Sequence, residues 1–298
     1  LELPQIEKDN VGHRATVTFE DSIDDKGMFT RQKGFIATEK HVRIPFWILK
    51  PKGKGPFPLA ITPHGHSADG WSGYAGVTPT KKPDYDVAVQ AVKRGFVAIA
   101  PATRGIAAGE WGLRISDVTK RHKSHCVGHN IQAMMAGRTA MGERVWDMMR
   151  LLDWALTLEG IDKSRVLMVG NSGGGCVTLH AAAADKRITI AIPSCSYNNF
   201  ISFTGSTRLC SCNTVPGIMR FGEAWDVGAL IAPRLLLTIN GRKDQLHPVE
   251  EVDHAVVHLQ RLYEAAGAKE KYKHRYGAEG HTFYKDLVWY WVDGVLRE

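Results

Sequence analysis

The sequence lacks long apolar runs and has few cysteines. Its longest apolar runs, RLLLTIN at 234–240 and LVWYWV at 287–292, are far shorter than the ~20 residues that span a bilayer. We therefore expect no transmembrane helix and no membrane insertion. The cysteines are Cys126, Cys176, Cys195, Cys210 and Cys212. They form neither a C-x-x-C pair nor a spacing typical of zinc, so the sequence predicts no metal site, while disulfide pairing stays open.

The sequence also lacks clusters of charged residues of one sign. The chain has 38 basic and 31 acidic residues, a net charge of +7, and the basic residues are scattered along it. Nucleic-acid binding favours clustered Lys and Arg with interleaved aromatic residues, so we expect no nucleic-acid partner. Scattered positive charge indicates an ordinary solvated surface, although it would also favour encounters with an acidic polysaccharide.

Linkers, internal repeats and low-complexity segments are absent from the 298 residues. With 44% apolar and 23% charged residues, the composition is that of a globular protein with a substantial core. We expect a single domain over 1–298, with residues 1 to about 40 as an antiparallel edge. The oligomeric state stays open. The first residue is Leu1 rather than Met, so we expect a processed or trimmed N-terminus, and a removed secretion signal would leave no trace. The compartment stays open, with a secreted or periplasmic location slightly favoured over a cytoplasmic one.

From residue 59 onward, short apolar runs alternate with helical patterns. The runs LAITPHG, FVAIAPATRG, RVLMVG, ITIAIPSC and PRLLLTIN predict strands, and helices are predicted between them. Such alternation is typical of an α/β fold with a mostly parallel central sheet and helices on both faces. Two less regular stretches, roughly 103–128 and 196–229, follow strand ends. Because ligands bind at that edge of an open α/β sheet, both stretches are candidate pocket walls.

A G-x-S-x-G pattern lies between a predicted strand and a predicted helix. It reads Gly170-Asn171-Ser172-Gly173-Gly174, and the helix follows without an intervening loop. This context is typical of a nucleophile elbow, a tight turn that exposes a serine hydroxyl above the sheet. The pattern therefore predicts that Ser172 is a nucleophile, with a polar turn residue as the alternative.

A serine nucleophile needs a base to remove its proton and an acid to orient that base. In this architecture the acid and then the histidine follow later strands. Asp244 follows the strand within PRLLLTIN, and His281 follows the last predicted strand in YGAEGHTF. Asp226 is the second candidate for the acid. His247, in the same loop as Asp244, and His274, within a predicted strand, are weaker candidates for the base.

Attack on a carbonyl creates an oxyanion that needs N–H donors. We expect the amides of His66 and Gly173 to supply them, since Gly173 follows the nucleophile and His66 lies in HGH after a strand. A metal pair of His64 and His66 is the alternative, but no carboxylate accompanies it at a useful spacing. The cluster His122, His125 and His129 is interpreted as pocket wall or solvated loop. The role of Arg138 stays open.

These motifs resemble the α/β-hydrolase superfamily, in its dienelactone-hydrolase-like branch with bacterial acetyl xylan esterase-like proteins. The resemblance covers roughly residues 40–298, including GRTAMGERVWDMMRLLDWAL, GNSGGGCVTLHAAAADKRI and GAEGHTF. It implies Ser172, Asp244 and His281 as the triad and no large cap domain. Dienelactone hydrolases use cysteine where this chain has serine, which favours ordinary ester hydrolysis. Ala102 stands where an acidic residue is common in relatives.

We therefore predict a serine carboxylic-ester hydrolase that forms an acyl-enzyme and needs no cofactor. By resemblance, the expected substrate is a small-molecule or carbohydrate ester, above all an acetylated carbohydrate. Cleavage of a glucuronoyl ester or a peptide by the same triad is the first alternative. A non-catalytic binding protein on the same fold is the second, and the sequence does not determine the acyl group or the sugar.

Overall fold

The central strands are apolar on both faces because helices cover the sheet on both sides. The computed structural model describes residues 1–67, 70–80, 82–107 and 125–297. In this part of the chain, nine strands form one sheet in the order β1-β2-β3-β5-β4-β6-β7-β8-β9. The strands are β1 (Thr16–Asp25), β2 (Phe29–Glu39), β3 (Val42–Pro51), β4 (Phe57–Ile61), β5 (Val97–Pro101), β6 (Ile161–Asn171), β7 (Ile190–Ser194), β8 (Leu235–Gly241) and β9 (Tyr272–Gly277).

Neighbouring strands pair antiparallel from β1 through β2 and β3 to β5. From β5 onward, through β4, β6, β7 and β8 to β9, neighbouring strands pair parallel. The described helices are α1 (Leu3–Asp9), α2 (Gly70–Tyr74), α3 (Val87–Val92), α4 (His125–Met135), α5 (Ala140–Ala155), α6 (Gly173–Ala184), α7 (Ala224–Ala229), α8 (Val249–Ala265) and α9 (Lys285–Val295). This arrangement confirms the expected mostly parallel sheet. The antiparallel strands β1–β3 extend to Pro51, beyond the expected boundary near residue 40.

Strand β6 shows how the sheet separates two cores. Val166 and Met168 pack in one apolar cluster with residues of α5 and α6. Leu167 and Val169 pack in the other cluster, which includes residues of α3 and α9. Side chains of a strand alternate between its two faces, so a run that is apolar throughout belongs to a strand covered on both sides.

The antiparallel edge contains a strand that the sequence pattern did not predict. Strand β2 pairs with β1 on one side and β3 on the other. Its middle is polar, yet Arg31 is buried, where it donates a hydrogen bond to the Ala75 carbonyl and pairs with Asp24. Because a charged residue takes a buried position in β2, the strand lacks the alternation of apolar and polar residues by which sequence patterns identify strands.

The connection after β7 is short and contains no large helical insertion in its described residues. Between β7 and α7 it forms only 3₁₀ turns, at Ser211–Asn213 and Ile218–Arg220. The expected absence of a cap domain agrees with this connection. The expectation that all of 1–298 forms one domain stays a prediction. No helix in the described part is long and apolar enough to cross a membrane.

Candidate active site

Ser172 lies at a sharp turn between β6 and α6. Its backbone has φ 57° and ψ −125°, a conformation that residues other than glycine rarely adopt. Its N–H donates to the Ser194 carbonyl at the end of β7, over 2.8 Å. The turn therefore places Ser172 at the carboxyl edge of the parallel strands.

Glycines around Ser172 are required by close backbone approach. A Cβ added to Gly174 would lie 2.0 Å from the Pro63 carbonyl oxygen, and one added to Gly65 would lie 2.5 Å from the Asn171 carbonyl oxygen. Neither contact is compatible with a side chain, since both obstacles are backbone atoms. The loop after β4 thus packs directly against the turn that carries Ser172.

Asp244 and His281 meet across the loops that follow β8 and β9. Their Oδ2 and Nδ1 atoms are 2.8 Å apart, and the carboxylate side chain is fully buried while the imidazole is 22% exposed. Burial raises the pKa of Asp244, but the hydrogen bond with His281 and the neighbouring imidazoles outweigh it and hold this pKa below its usual value. An ionised carboxylate only accepts hydrogen bonds, so Nδ1 carries the proton and Nε2 is left as a base.

Cys195 connects this pair to the serine turn. It follows Ser194, whose carbonyl binds the Ser172 N–H, and its thiol donates to the Thr282 carbonyl over 3.1 Å. Its sulfur and the ligand atoms of Asp244 and His281 lie within 4.8 Å of one another. The structure thus brings Asp244 and His281 together and places Ser172 at the same sheet edge, while Ser172 Oγ has no hydrogen bond to His281 in the described structure. The triad stays a prediction.

The two residues expected to bind the oxyanion are neighbours in the fold. A Cβ on Gly173 would lie 3.0 Å from Nδ1 of His66. Gly173 is the first residue of α6, so its N–H has no carbonyl partner within the helix and is available to a ligand. The proximity is compatible with the predicted oxyanion hole, whose assignment to His66 and Gly173 stays a prediction.

The alternative candidates have structural partners. His64 is fully buried, with Nδ1 2.9 Å from the Gly65 carbonyl and Nε2 accepting from the Thr103 N–H, and burial lowers its pKa to about 4. Both of its ring nitrogens are used by the backbone, which argues against a metal pair with His66. Asp226 accepts from the Glu223 N–H as part of the N-terminal cap of α7.

The remaining histidines and Arg138 also have identifiable surroundings. His274 lies in β9, bonded to Thr238 over 2.8 Å. His247 is buried, with its ring centroid 5.8 Å from that of His281. His129 Nε2 is 2.9 Å from a Glu143 oxygen, His125 is exposed in α4, and His122 lies outside the described residues. Arg138 forms ion pairs that join three segments, with Asp9, Glu39 and Glu143.

Part of the irregular stretch 196–229 lines an apolar cavity of about 240 Å³. Its walls include Phe200, Leu209, Val215 and Met219, but none of the three predicted triad residues. The cavity is therefore separate from the candidate catalytic groups. Most of the other expected pocket wall, 103–128, lies outside the described residues.

Sequence spacing did not reveal one group of side chains that could hold a metal ion. His66, Cys126, Cys210 and Cys212 place their ligand atoms within 4.8 Å of one another. They come from the loop after β4, from α4 and from the connection after β7. No local spacing could reveal this group, because its members are up to 146 residues apart along the chain.

The mostly parallel sheet and the serine turn between β6 and α6 define an α/β-hydrolase. The sequence profile of the acetyl xylan esterase (AXE1) family matches residues 34–204, more than half of the chain. The chain belongs to the acetyl xylan esterase family, and it is a carboxylic ester hydrolase.

Proteins similar to this chain include one relative by sequence and two solved structures. The "Putative hydrolase YtaP" of Bacillus subtilis is 26% identical over 249 residues, which are 81% of this chain and 79% of that protein. "Methylesterase BT1017" has a TM-score of 0.73 at 21% identity, covering 96% of this chain, and this chain spans only 58% of its length. A "putative acetyl xylan esterase" from Bacteroides fragilis has a TM-score of 0.71 at 16% identity, covering 98% of this chain and 86% of its own. At these identities the solved structures show the shared fold alone.

Proposed function

We propose that this chain hydrolyses carbohydrate esters, above all acetylated carbohydrates, through Ser172, His281 and Asp244. The 2.8 Å contact between His281 Nδ1 and Asp244 Oδ2 is the observation that carries the proposal. It fixes the imidazole tautomer whose Nε2 can accept a proton from a serine hydroxyl. The positive φ of Ser172 supports the same assignment, because strained backbone of this kind is concentrated at functional sites.

The reaction proceeds in two steps, acylation of the serine and hydrolysis of the acyl-enzyme. Ser172 Oγ attacks the ester carbonyl carbon while His281 accepts the hydroxyl proton, and the His281 proton then passes to the leaving alcohol as the acyl-enzyme forms. Water, deprotonated by His281, attacks the acyl-enzyme and releases the acid and the free serine. Asp244 keeps His281 oriented and stabilises its charged form, and the amides of His66 and Gly173 bind the developing oxyanion.

Replacement of the nucleophile gives the first test. We expect Ser172→Ala to lower hydrolysis of a small aryl acetate by at least about 10⁴-fold, since removal of a triad member leaves only binding and oxyanion stabilisation. The matched control is Ser22→Ala, the same change at an exposed position of β1, which should retain full activity. Wild-type turnover in Ser172→Ala would contradict the proposal.

A substrate panel tests the carbohydrate specificity separately. Acetylated xylan and acetylated sugars should release acetate, whereas methyl-esterified uronates and peptides should release methanol and amines more slowly. Preferential release of methanol would move the assignment to a uronate esterase with the same triad. An unreactive panel, together with failure of a fluorophosphonate probe to label Ser172, would favour the non-catalytic binding role.

A further inference from the structure

His66, Cys126, Cys210 and Cys212 form a compact set of soft donor groups, here called the Cys–His cluster. The Sγ atoms of Cys126 and Cys210 are 3.7 Å apart, and Nε2 of His66 is 3.2 Å from the Sγ of Cys212. No disulfide joins any of these cysteines. All four ligand atoms lie within 4.8 Å of one another, close enough to share one metal ion.

The spacing of this cluster fits a tetrahedral zinc ion. With Zn–S bonds of about 2.3 Å, the edge of a tetrahedron between two sulfurs is roughly 3.8 Å, and an edge to nitrogen is slightly shorter. The separations of 3.7 and 3.2 Å lie just below these values, and no pair of ligand atoms is more than 4.8 Å apart, so binding needs shifts of about an ångström or less. Thiolate and imidazole donors select zinc over magnesium or calcium, which prefer oxygen ligands.

The charge around the Cys–His cluster supports an anionic centre. Arg144 is fully buried, and its Nη1 is 2.8 Å from the Cys212 carbonyl and 3.4 Å from the Cys212 sulfur. Within the described ranges this guanidinium has no carboxylate partner, and its Nη2 has no hydrogen-bond partner. A buried cation without a countercharge is costly, but three thiolates and one Zn²⁺ sum to −1 and would balance it.

We propose that His66, Cys126, Cys210 and Cys212 bind one zinc ion as a Cys₃His structural site. Zinc takes the place of the three thiol protons, which are released to solvent, and no electron is transferred. The ion would hold the loop after β4, helix α4 and the turn Ser211–Asn213 together. This site revises the sequence-based expectation of no metal.

The zinc site would also fix the position of one predicted oxyanion donor. While Nε2 of His66 faces the cysteines, a Cβ on Gly173 would lie 3.0 Å from its Nδ1. Coordination would therefore anchor the loop that presents the His66 amide beside the turn of Ser172. His66 acts here as a positioning residue, and the zinc ion contacts no reacting atom.

Metal content of the purified full chain tests this proposal without any substrate. After saturation with Zn²⁺ and gel filtration, we expect about one zinc per chain by mass spectrometry of the elements. Co²⁺ bound to the chelator-treated protein should give tetrahedral d–d bands and thiolate-to-cobalt charge transfer. The measurement does not depend on esterase activity, so failure here leaves the assignment of Ser172 untouched.

Variants locate the ion. Cys126→Ser and Cys210→Ser should each lower zinc affinity at least about tenfold and remove charge-transfer intensity, because each deletes one thiolate ligand. The matched control is Cys176→Ala, a buried cysteine in α6 outside the Cys–His cluster, which should keep one zinc per chain. If the serine variants fail to fold, wild-type zinc stoichiometry and the cobalt spectrum decide. Wild type without zinc, or with a Cys126–Cys210 disulfide in peptide mass analysis, would overturn the proposal.

Discussion

At the scale of single residues, the candidate base is distinguished from the other histidines by its hydrogen bond. The chain has 13 histidines, and the sequence favours His281 as the base only by its position after the last predicted strand. His64 uses both ring nitrogens for backbone contacts, and His274 is bonded to Thr238. Among the described histidines, His281 is paired with the buried carboxylate of Asp244, which holds its ring in one tautomer at the edge where Ser172 lies.

Asp244→Asn tests the role of that carboxylate. The amide keeps the shape of the side chain but can stabilise the wrong imidazole tautomer, so we expect kcat to fall about 10⁴-fold with little change in KM. Initial rates on an aryl acetate measure the effect.

Asp226→Asn is the matched control, because Asp226 caps α7 and lies outside the predicted triad. It should keep kcat within about twofold of wild type. If kcat fell strongly in Asp226→Asn while Asp244→Asn kept wild-type kcat, the acid would be Asp226 instead.

At the scale of secondary-structure elements, the junction of β6 and α6 could be predicted because its constraints are local. Four apolar residues, a G-x-S-x-G turn and an alanine-rich helix follow each other without interruption. Strand β2 could not be predicted, since its buried Arg31 is satisfied by Asp24 and by the distant Ala75 carbonyl. Sequence patterns report burial of apolar groups, and a buried arginine in a strand carries no such signal.

Gly174→Ala should damage this junction. The new methyl group would lie 2.0 Å from the Pro63 carbonyl oxygen, so the loop after β4 must shift away from the turn. We expect a loss of about 1–3 kcal/mol in the free energy of unfolding, the usual cost of overpacking, together with a large loss of activity. Chemical denaturation and esterase rates measure both.

Gly294→Ala provides the matched control. This glycine lies in α9, and an added Cβ meets nothing within 4 Å. Since alanine is favoured over glycine inside a helix, the change should stabilise the protein by up to about 1 kcal/mol. If Gly174→Ala behaved like Gly294→Ala, the close approach at the turn would be disproved.

At the scale of the whole molecule, the stability of the folded protein depends on pH because it buries neutral histidines. Burial lowers the pKa of His247 to about 4 and that of His274 to about 4. In the unfolded chain both return to about 6.5, so between these values the unfolded state binds more protons than the folded state. Stability therefore falls as the pH decreases from 6.5 toward 4.

When the pH falls from 7 to 5, we expect each of these histidines to lower the free energy of unfolding by about 2 kcal/mol. Urea denaturation at the two pH values measures the loss. In His247→Gln this pH-dependent loss should be about 2 kcal/mol smaller, because glutamine does not titrate. His41→Gln, at an exposed position, should leave the loss unchanged, and an identical loss in His247→Gln and wild type would contradict this account.

The sequence by itself determined the alternation of strands and helices in the parallel part of the sheet and the serine turn, because these depend on local periodicity and on glycines close to Ser172. Strand β2 and the order in which the strands lie in the sheet came from the tertiary structure. The sequence also named Asp244 and His281 by their positions after strands, although only the folded chain shows them 2.8 Å apart. Tertiary structure alone brought His66 to cysteines 60 to 146 residues away, and it alone buried Arg144 beside them. Contacts between distant segments depend on how the loops at one sheet edge fold over each other, and no local spacing carries that information.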